Sequence, residues 1–258
     1  MKNGALVTEI VRASFADGPG LRTVVFFKGC PLSCIWCHNP ECIDPRPQVL
    51  LYPEKCIGCN MCDKGCFSGS RVVCGSEMTA EQIFSQIALD KKNYGKDGGV
   101  TFSGGECLCY PDILTELISL CKAEQIGTAA ETSLYIYNEK ILSSLDLIMA
   151  DLKIWDNDKH KKYTGVENGK IKENFERLDK LGVPFIVRTP VIPGINDTKE
   201  EITSIRSFLA GFKNVIKYEL LPYHPLGVSK QKALGIKPTL FEIPSTETME
   251  ELLSYAKL

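Results

Sequence analysis

No apolar run in this 258-residue chain reaches the length that a membrane-spanning helix needs, so an integral membrane protein is not expected. The opening stretch, MKNGALVTEIVRASF, breaks its apolar positions with Glu9 and Arg12 and lacks the hydrophobic centre of a cleavable secretory leader. An excess of one charge is missing too: 30 Lys and Arg stand against 32 Asp and Glu, a formal charge of -2. That near balance gives no reason to expect nucleic acid as a partner. Apolar residues at 44 % and charged residues at 24 % are ordinary for a folded globular chain, which excludes wholesale disorder. Cysteine, by contrast, is abundant. Twelve cysteines without a leader point to reduced thiols and metal ligation in the cytoplasm, not to disulfides.

Three of them, Cys30, Cys34 and Cys37, lie in KGCPLSCIWCHNP with the spacing C-x3-C-x2-C, directly after the strand-like run RTVVFFKG. A 4Fe-4S cube has four irons and protein cubes normally take four thiolates, so three nearby cysteines suggest one iron left open. An open iron can bind a substrate or cofactor, which a closed electron-transfer centre cannot do. The alternative is a structural zinc site with His38 or Cys42 as fourth ligand. Trp36 before the third cysteine, a later SGGE run and the repeating strand pattern between them favour iron and sulfur.

The length suits one α/β barrel with a small insertion. Short, almost wholly apolar runs predict strands at 22–29, 98–103, 127–132, 147–153, 184–191 and 215–221, buried on both faces. Amphipathic segments predict helices at 79–92, 111–125, 138–144, 171–181 and 198–211, with a last one at 245–256 capped by Ser245 and Thr246. Six βα-type repeats are too few to close an eight-stranded barrel. The fold class expected is therefore α/β, a partial (β/α)6 TIM-type barrel with a small Cys-rich ferredoxin-like insertion. Residues 1–40 and 79–258 would form the barrel and 41–78 the insert. Function in such sheets gathers at the C-terminal ends of the strands. The three cysteines, SGGE, Glu131 with Thr132, Asp151 with Lys153, Arg188 and His224 all fall there, so they would line one mouth.

The insert contains CIGCNMCDKGC, placing Cys56, Cys59, Cys62 and Cys66 at C-x2-C-x2-C-x3-C, the spacing of a bacterial ferredoxin loop. Phe67 stands where such loops usually carry proline. With no second full quartet nearby, the four are assigned to one auxiliary cluster, with Cys42 and Cys74 as substitutes and a zinc knuckle as the alternative. Within SGGE, Gly104 and Gly105 permit close backbone approach and the Glu106 carboxylate can accept from an ammonium, although a strand-ending turn explains the run equally well. Asp151 and Lys153 flank Leu152 on a strand and so share a face, as a structural ion pair or as ligand contacts. Cys121 reads as core, and Cys107 and Cys109 as structural.

ADGPGLR at 16–22 reads alone as a turn. Followed by the cysteine motif, TFSGGE, MADLK, RTPVIPGIND and LLPYHPLG, it makes the chain similar over nearly its whole length to the activating enzymes of glycyl radical enzymes, the radical S-adenosylmethionine (SAM) group that includes pyruvate formate-lyase activase. The resemblance implies that the methionine part of SAM chelates the open iron of a 4Fe-4S cluster held by Cys30, Cys34 and Cys37. Reductive cleavage then yields methionine and a 5'-deoxyadenosyl radical, which takes a hydrogen from the α-carbon of a glycine on a partner enzyme. It further implies backbone contacts from Gly104 and Gly105 to the SAM amino group. Asp151 and Lys153 would lie against SAM, Arg188 would meet its carboxylate, and His224 the ribose or adenine side. Trp36 and His38 would lean on the adenine, unless Trp36 simply packs. Glu131, Thr132 and Asp151 would offer oxygens to a monovalent cation. Flavodoxin or ferredoxin is the reductant implied, either through the insert or with the insert shaping the docking surface. The other classes are a radical SAM enzyme acting on another peptide or small molecule, an iron-sulfur electron carrier, and a zinc-binding interaction module.

Overall fold

Runs such as TVVFF, GVTFS and LIMAD are too apolar to leave either strand face in water, and in the computed structural model, which describes residues 4–258, they form the centre of one sheet. In chain order the strands are β1 (Ala5–Ser14), β2 (Arg22–Phe27), β3 (Gln48–Leu51), β4 (Arg71–Cys74), β5 (Ser76–Met78), β6 (Gly99–Gly104), β7 (Gly127–Thr132), β8 (Leu147–Asp151), β9 (Phe185–Val191) and β10 (Val215–Pro222). The helices are α1 (Ala80–Ala88), α2 (Pro111–Ala123), α3 (Glu139–Leu142), α4 (Asn157–Thr164), α5 (Gly169–Lys180), α6 (Lys199–Leu209), α7 (Gly227–Ala233) and α8 (Thr246–Tyr255). The main sheet runs β10-β9-β8-β7-β6-β2-β1-β5. From β2 to β10 every neighbouring pair is parallel, so the six predicted strands are all present and in sequence order. The sheet ends at β10 on one side, as an open partial barrel must. Among the described residues no helix is long and apolar enough to cross a membrane.

Four strands escaped the sequence pattern: β3 and β4, which pair with each other, and two in the main sheet. β1 runs antiparallel to β2, and β5 runs antiparallel to β1 at the edge, so the two extend the sheet past β2. β1 alternates Ala5 and Val7 inward with half-buried neighbours, a weaker signal than the doubly buried parallel strands give. The helices α4 and α7 were also missed. In α4, NDKHKKYT buries only His160 and Thr164, too little for an apolar stripe to be read, and the helix is held instead by the Asp156 cap and its tertiary contacts. The cap at Ser245 is present, its hydroxyl accepting from the Thr248 N–H.

The DGPG turn is hydrogen-bonded to β6 and to Arg22. Thr101 donates its hydroxyl to the Asp17 carbonyl at 2.8 Å, and the buried Arg22 guanidinium bonds the carbonyls of Pro19 and Val100, both at 3.0 Å. The arginine of DGPG-x-R is thus the tie between that turn and β6. Nearby, Arg12 grips Asp90 through two bonds of 2.6 and 2.5 Å, and Thr23 donates to the same carboxylate at 3.1 Å. This network fixes β1 and β2 to the segment after α1.

Replacing Asp90 by Asn leaves the Arg12 charge without its partner and should cost about 1–3 kcal/mol in chemical denaturation. Hydrogen bonding by Arg12, against the cost of burial, holds the Asp90 carboxyl below its ordinary value of 3.8. Its contribution should therefore be complete above that pH and fade as pH falls through the lower folded value, while Asp90→Asn shows no such loss; equal acid sensitivity of both proteins would contradict this.

Candidate active site at the barrel mouth

The loop from Cys30 to Cys42 leaves β2 and returns to it. Gly29 donates to the Cys42 carbonyl at 2.7 Å and Cys30 to that of Ile43 at 3.0 Å, which closes the loop at its root. Its crest is held from two sides. Ser33 and Ile35 donate to the carbonyls of Thr164 and Tyr163 at the end of α4, at 2.8 and 3.1 Å. From α7, Gln231 donates to the Ile35 carbonyl at 3.2 Å. Gly227 lies so close that a Cβ there would stand 2.2 Å from the Cys37 carbonyl oxygen.

The Cys30, Cys34 and Cys37 thiols stand near enough to raise one another's affinity for protons. Burial is the larger cause: it pushes all three up, Cys37 to about 12, while Lys153 pulls against the rise at Cys34. Metal binding must therefore displace tightly held protons. Neither candidate for a fourth zinc ligand joins them. Cys42 is fully buried with its sulfur 3.2 Å from the Thr8 hydroxyl, and the His38 ring meets His224 edge to face at 4.4 Å. Three thiols without a fourth protein ligand fit a cube with one open iron better than a closed zinc site.

Gly104 and Gly105 end β6 against the cysteine loop. A Cβ on Gly104 would lie 2.2 Å from the Phe27 backbone, and one on Gly105 would lie 2.4 Å from the carbonyl oxygens of Cys42 and Gly29. Both positions thus require glycine before any ligand is considered. The amides of Gly105 and Glu106 are engaged by Phe27 and Gly29, at 2.9 and 2.8 Å. Glu106 itself departs from the expectation that it meets an ammonium. It is fully buried, receives Ser133 N–H at 3.0 Å, Ser133 O–H at 2.7 Å and Thr132 O–H at 2.8 Å, and so holds the turn after β7. Trp36 likewise takes the packing alternative, buried with Ile154, Ile192, Ile195 and Tyr223.

The charged residues of the mouth meet as the strand order requires. Lys153 donates to Asp151 at 2.5 Å; burial works against the ammonium's charge, but Asp151 together with Cys34 and Cys30 prevails and raises its affinity for the proton. Arg188 on β9 donates from Nη1 to Glu131 at 2.5 Å and from Nε to Glu219 at 3.0 Å. Burial works against its charge, but Glu131, Asp151 and Glu219 prevail and raise its affinity for the proton. Glu219 was missed in the sequence, although a carboxylate inside the apolar run VIKYELL was its signal. The trio expected to hold a monovalent cation does not fit that task. Glu131 accepts from Arg188 and, at 2.6 Å, from Ser103; Thr132 donates to Glu106; Asp151 carries Lys153. Among the described residues no three His, Cys, Asp or Glu side chains close on a single ion.

In the insert, β3 and β4 pair antiparallel and frame the second cysteine loop. Cys56, Cys59 and Cys62 are exposed and Cys66 partly so. Hydrogen bonding from Ser68 and from the backbone at Arg71 lowers the Cys66 thiol, which readies a thiolate for metal. Cys42 and Cys74 are buried instead, Cys74 beside Leu50 and Ala233. Lys28 and Lys230 tie the segment around Glu41 to the main sheet and to α7. Lys28, wholly buried, donates to the Glu41 carbonyl at 2.5 Å and to Gln48 at 2.8 Å; Lys230 on α7 pairs with the Glu41 carboxylate at 2.5 Å and with Asn39 at 2.9 Å. The lysine ending VVFFK was visible in the sequence, but nothing there linked it to Glu41.

Gly227→Ala should push α7 off Cys37, costing about 1–3 kcal/mol of stability and lowering the iron taken up on reconstitution. Gly211→Ala, where no atom lies within 4 Å of the added carbon, should do neither. Equal iron content in the two variants would contradict this account of the loop.

A profile of the Radical SAM superfamily matches residues 24–205. The chain is 34% identical to the indoleacetate decarboxylase activating enzyme of Tractidigestivibacter scatoligenes, over 94% of this chain and 90% of that one. It is also 34% identical to the pyruvate formate-lyase-activating enzyme of Clostridium pasteurianum, over 97% and 96%. Among solved structures, a domain of a pyruvate-formate lyase-activating enzyme from Bacteroides vulgatus is similar with a TM-score of 0.52 at 27% identity, covering 62% of this chain and 92% of that one.

Proposed function

The chain belongs to the radical SAM superfamily and, within it, to the activating enzymes of glycyl radical enzymes, and from that premise we propose how its residues divide the work. Cys30, Cys34 and Cys37 hold the 4Fe-4S cluster. When bound, that cluster supplies the electron that cleaves SAM to methionine and a 5'-deoxyadenosyl radical, and the radical removes the α-hydrogen of a glycine on the partner enzyme. The observation that carries the assignment is the loop of three half-buried thiols with both candidate fourth ligands turned elsewhere.

The residues of the mouth suit the ends of SAM. With the amides of Gly105 and Glu106 engaged, the turn at Gly104 and Gly105 has carbonyl oxygens to offer, and carbonyls accept from an ammonium. Lys153 and Arg188 are the cations for the carboxylate. His38 and His224, already in contact, bracket the adenine and ribose side. Burial first, and then His224 and Lys230, lower His38 to about 4, so it meets the nucleoside uncharged at neutral pH. Asp151 fixes Lys153, and Glu106 fixes the turn carrying Thr132.

The second quartet, Cys56, Cys59, Cys62 and Cys66, is proposed to hold an auxiliary 4Fe-4S cluster that takes electrons from a flavodoxin or ferredoxin in the cytoplasm. Exposure of three of these thiols supports contact with a reductant. The sheet ends at β10, and an extended glycine-bearing loop of the partner is proposed to reach the mouth from that open side.

Anaerobic reconstitution with iron and sulfide, followed by iron counting and a 5'-deoxyadenosine assay with dithionite, tests this reading. About eight irons per chain and 5'-deoxyadenosine from SAM are expected. Bound zinc without SAM cleavage would overturn it. Cys59→Ala should lose about one cluster's iron yet still cleave SAM with dithionite; loss of that cleavage would contradict a relay role for the insert.

A further inference from the structure

Arg188 is held between two carboxylates from different strands, Glu131 on β7 and Glu219 on β10, with Nη2 outside both contacts. Most of the side-chain oxygens that could have drawn a metal cation to this side of the mouth are already in use, Asp151 through one of its two oxygens. One Glu131 oxygen takes Arg188 and the other takes the Ser103 hydroxyl at 2.6 Å. The Thr132 hydroxyl donates to Glu106 and accepts the Leu134 amide at 3.0 Å, while Asp151 accepts Lys153. A bare alkali cation keeps its place only by replacing its water with several oxygen donors. Here it would have to break charge-assisted bonds of 2.5 Å and sit beside a guanidinium that repels it. The charged groups facing Arg188 are Glu131, Asp151 and Glu219, so its own charge is well matched without a further ion.

We propose that the Arg188 guanidinium, clamped by Glu131 and Glu219, takes the place of a bound monovalent metal ion in this enzyme, so that SAM binding and cleavage need neither potassium nor sodium. The length of Glu131 is what brings its carboxylate onto Arg188; Glu131→Asp shortens that reach by one methylene, loosens the clamp and frees oxygens for an ion. This inference rests on the assignment of the mouth to SAM, and the experiment separates the two.

The reconstituted full-length protein and Glu131→Asp are each assayed for SAM affinity and 5'-deoxyadenosine formation in potassium chloride and in choline chloride, with melting curves in both salts. Wild-type affinity and rate should differ by less than about 2-fold between salts, whereas Glu131→Asp should need potassium for at least about a 10-fold gain in SAM affinity. A wild-type enzyme that loses about 10-fold without potassium would overturn the inference alone. So would a folded Glu131→Asp protein as indifferent to salt as the wild type. If the variant does not melt cooperatively, the wild-type comparison decides. No SAM binding in either salt would overturn the proposed function and this inference together.

Discussion

Everything at the mouth depends on how the backbone between Cys30 and Cys42 is held. The loop carries no regular structure of its own beyond one short turn at Pro40–Cys42, so its shape is set by hydrogen bonds to β2, α4 and α7. Three thiols would gain nothing from such a loop if it were free to rearrange, because metal ligation requires that they be presented together. The glycines at 104, 105 and 227 belong to the same constraint: each lets another backbone approach where any side chain would collide.

That constraint also reaches the segment that follows the loop. Glu41 lies just past the third cysteine, and both its carbonyl and its carboxylate are taken by lysines, Lys28 just after β2 and Lys230 from α7. A buried ammonium is costly unless every proton finds an acceptor, and Lys28 finds two of its acceptors at the root of the insert, in Glu41 and Gln48. Burial of that charge therefore couples the loop of the first cysteine set to the strands that frame the second. A change at this joint would be felt by both.

The six parallel strands were legible in the sequence because doubly buried strands leave continuous apolar runs between helical periods. β1, α4 and α7 were not, since they are specified by partners far along the chain: β1 by β2 and β5, α4 by the cysteine loop it braces, α7 by its fit against Cys37. In the candidate site, residue types and spacing were enough to put Asp151 and Lys153 on one strand face, whereas only the family resemblance put His38 and His224 toward the same side of SAM. They did not reveal that Glu106 turns inward to Ser133 and Thr132, that Trp36 packs into an apolar cluster, or that Arg188 occupies the Glu131 oxygens. Motifs name the side chains; only the sheet register decides which of them reach one another.

The central claim is that three cysteines leave one iron for SAM to bind directly. Electron–nuclear double resonance on the reduced, reconstituted enzyme with SAM labelled with nitrogen-15 at the amino group and oxygen-17 at the carboxylate reads that contact. Hyperfine coupling from both labels is the result this account predicts. Tightly bound SAM that shows coupling from neither would contradict it.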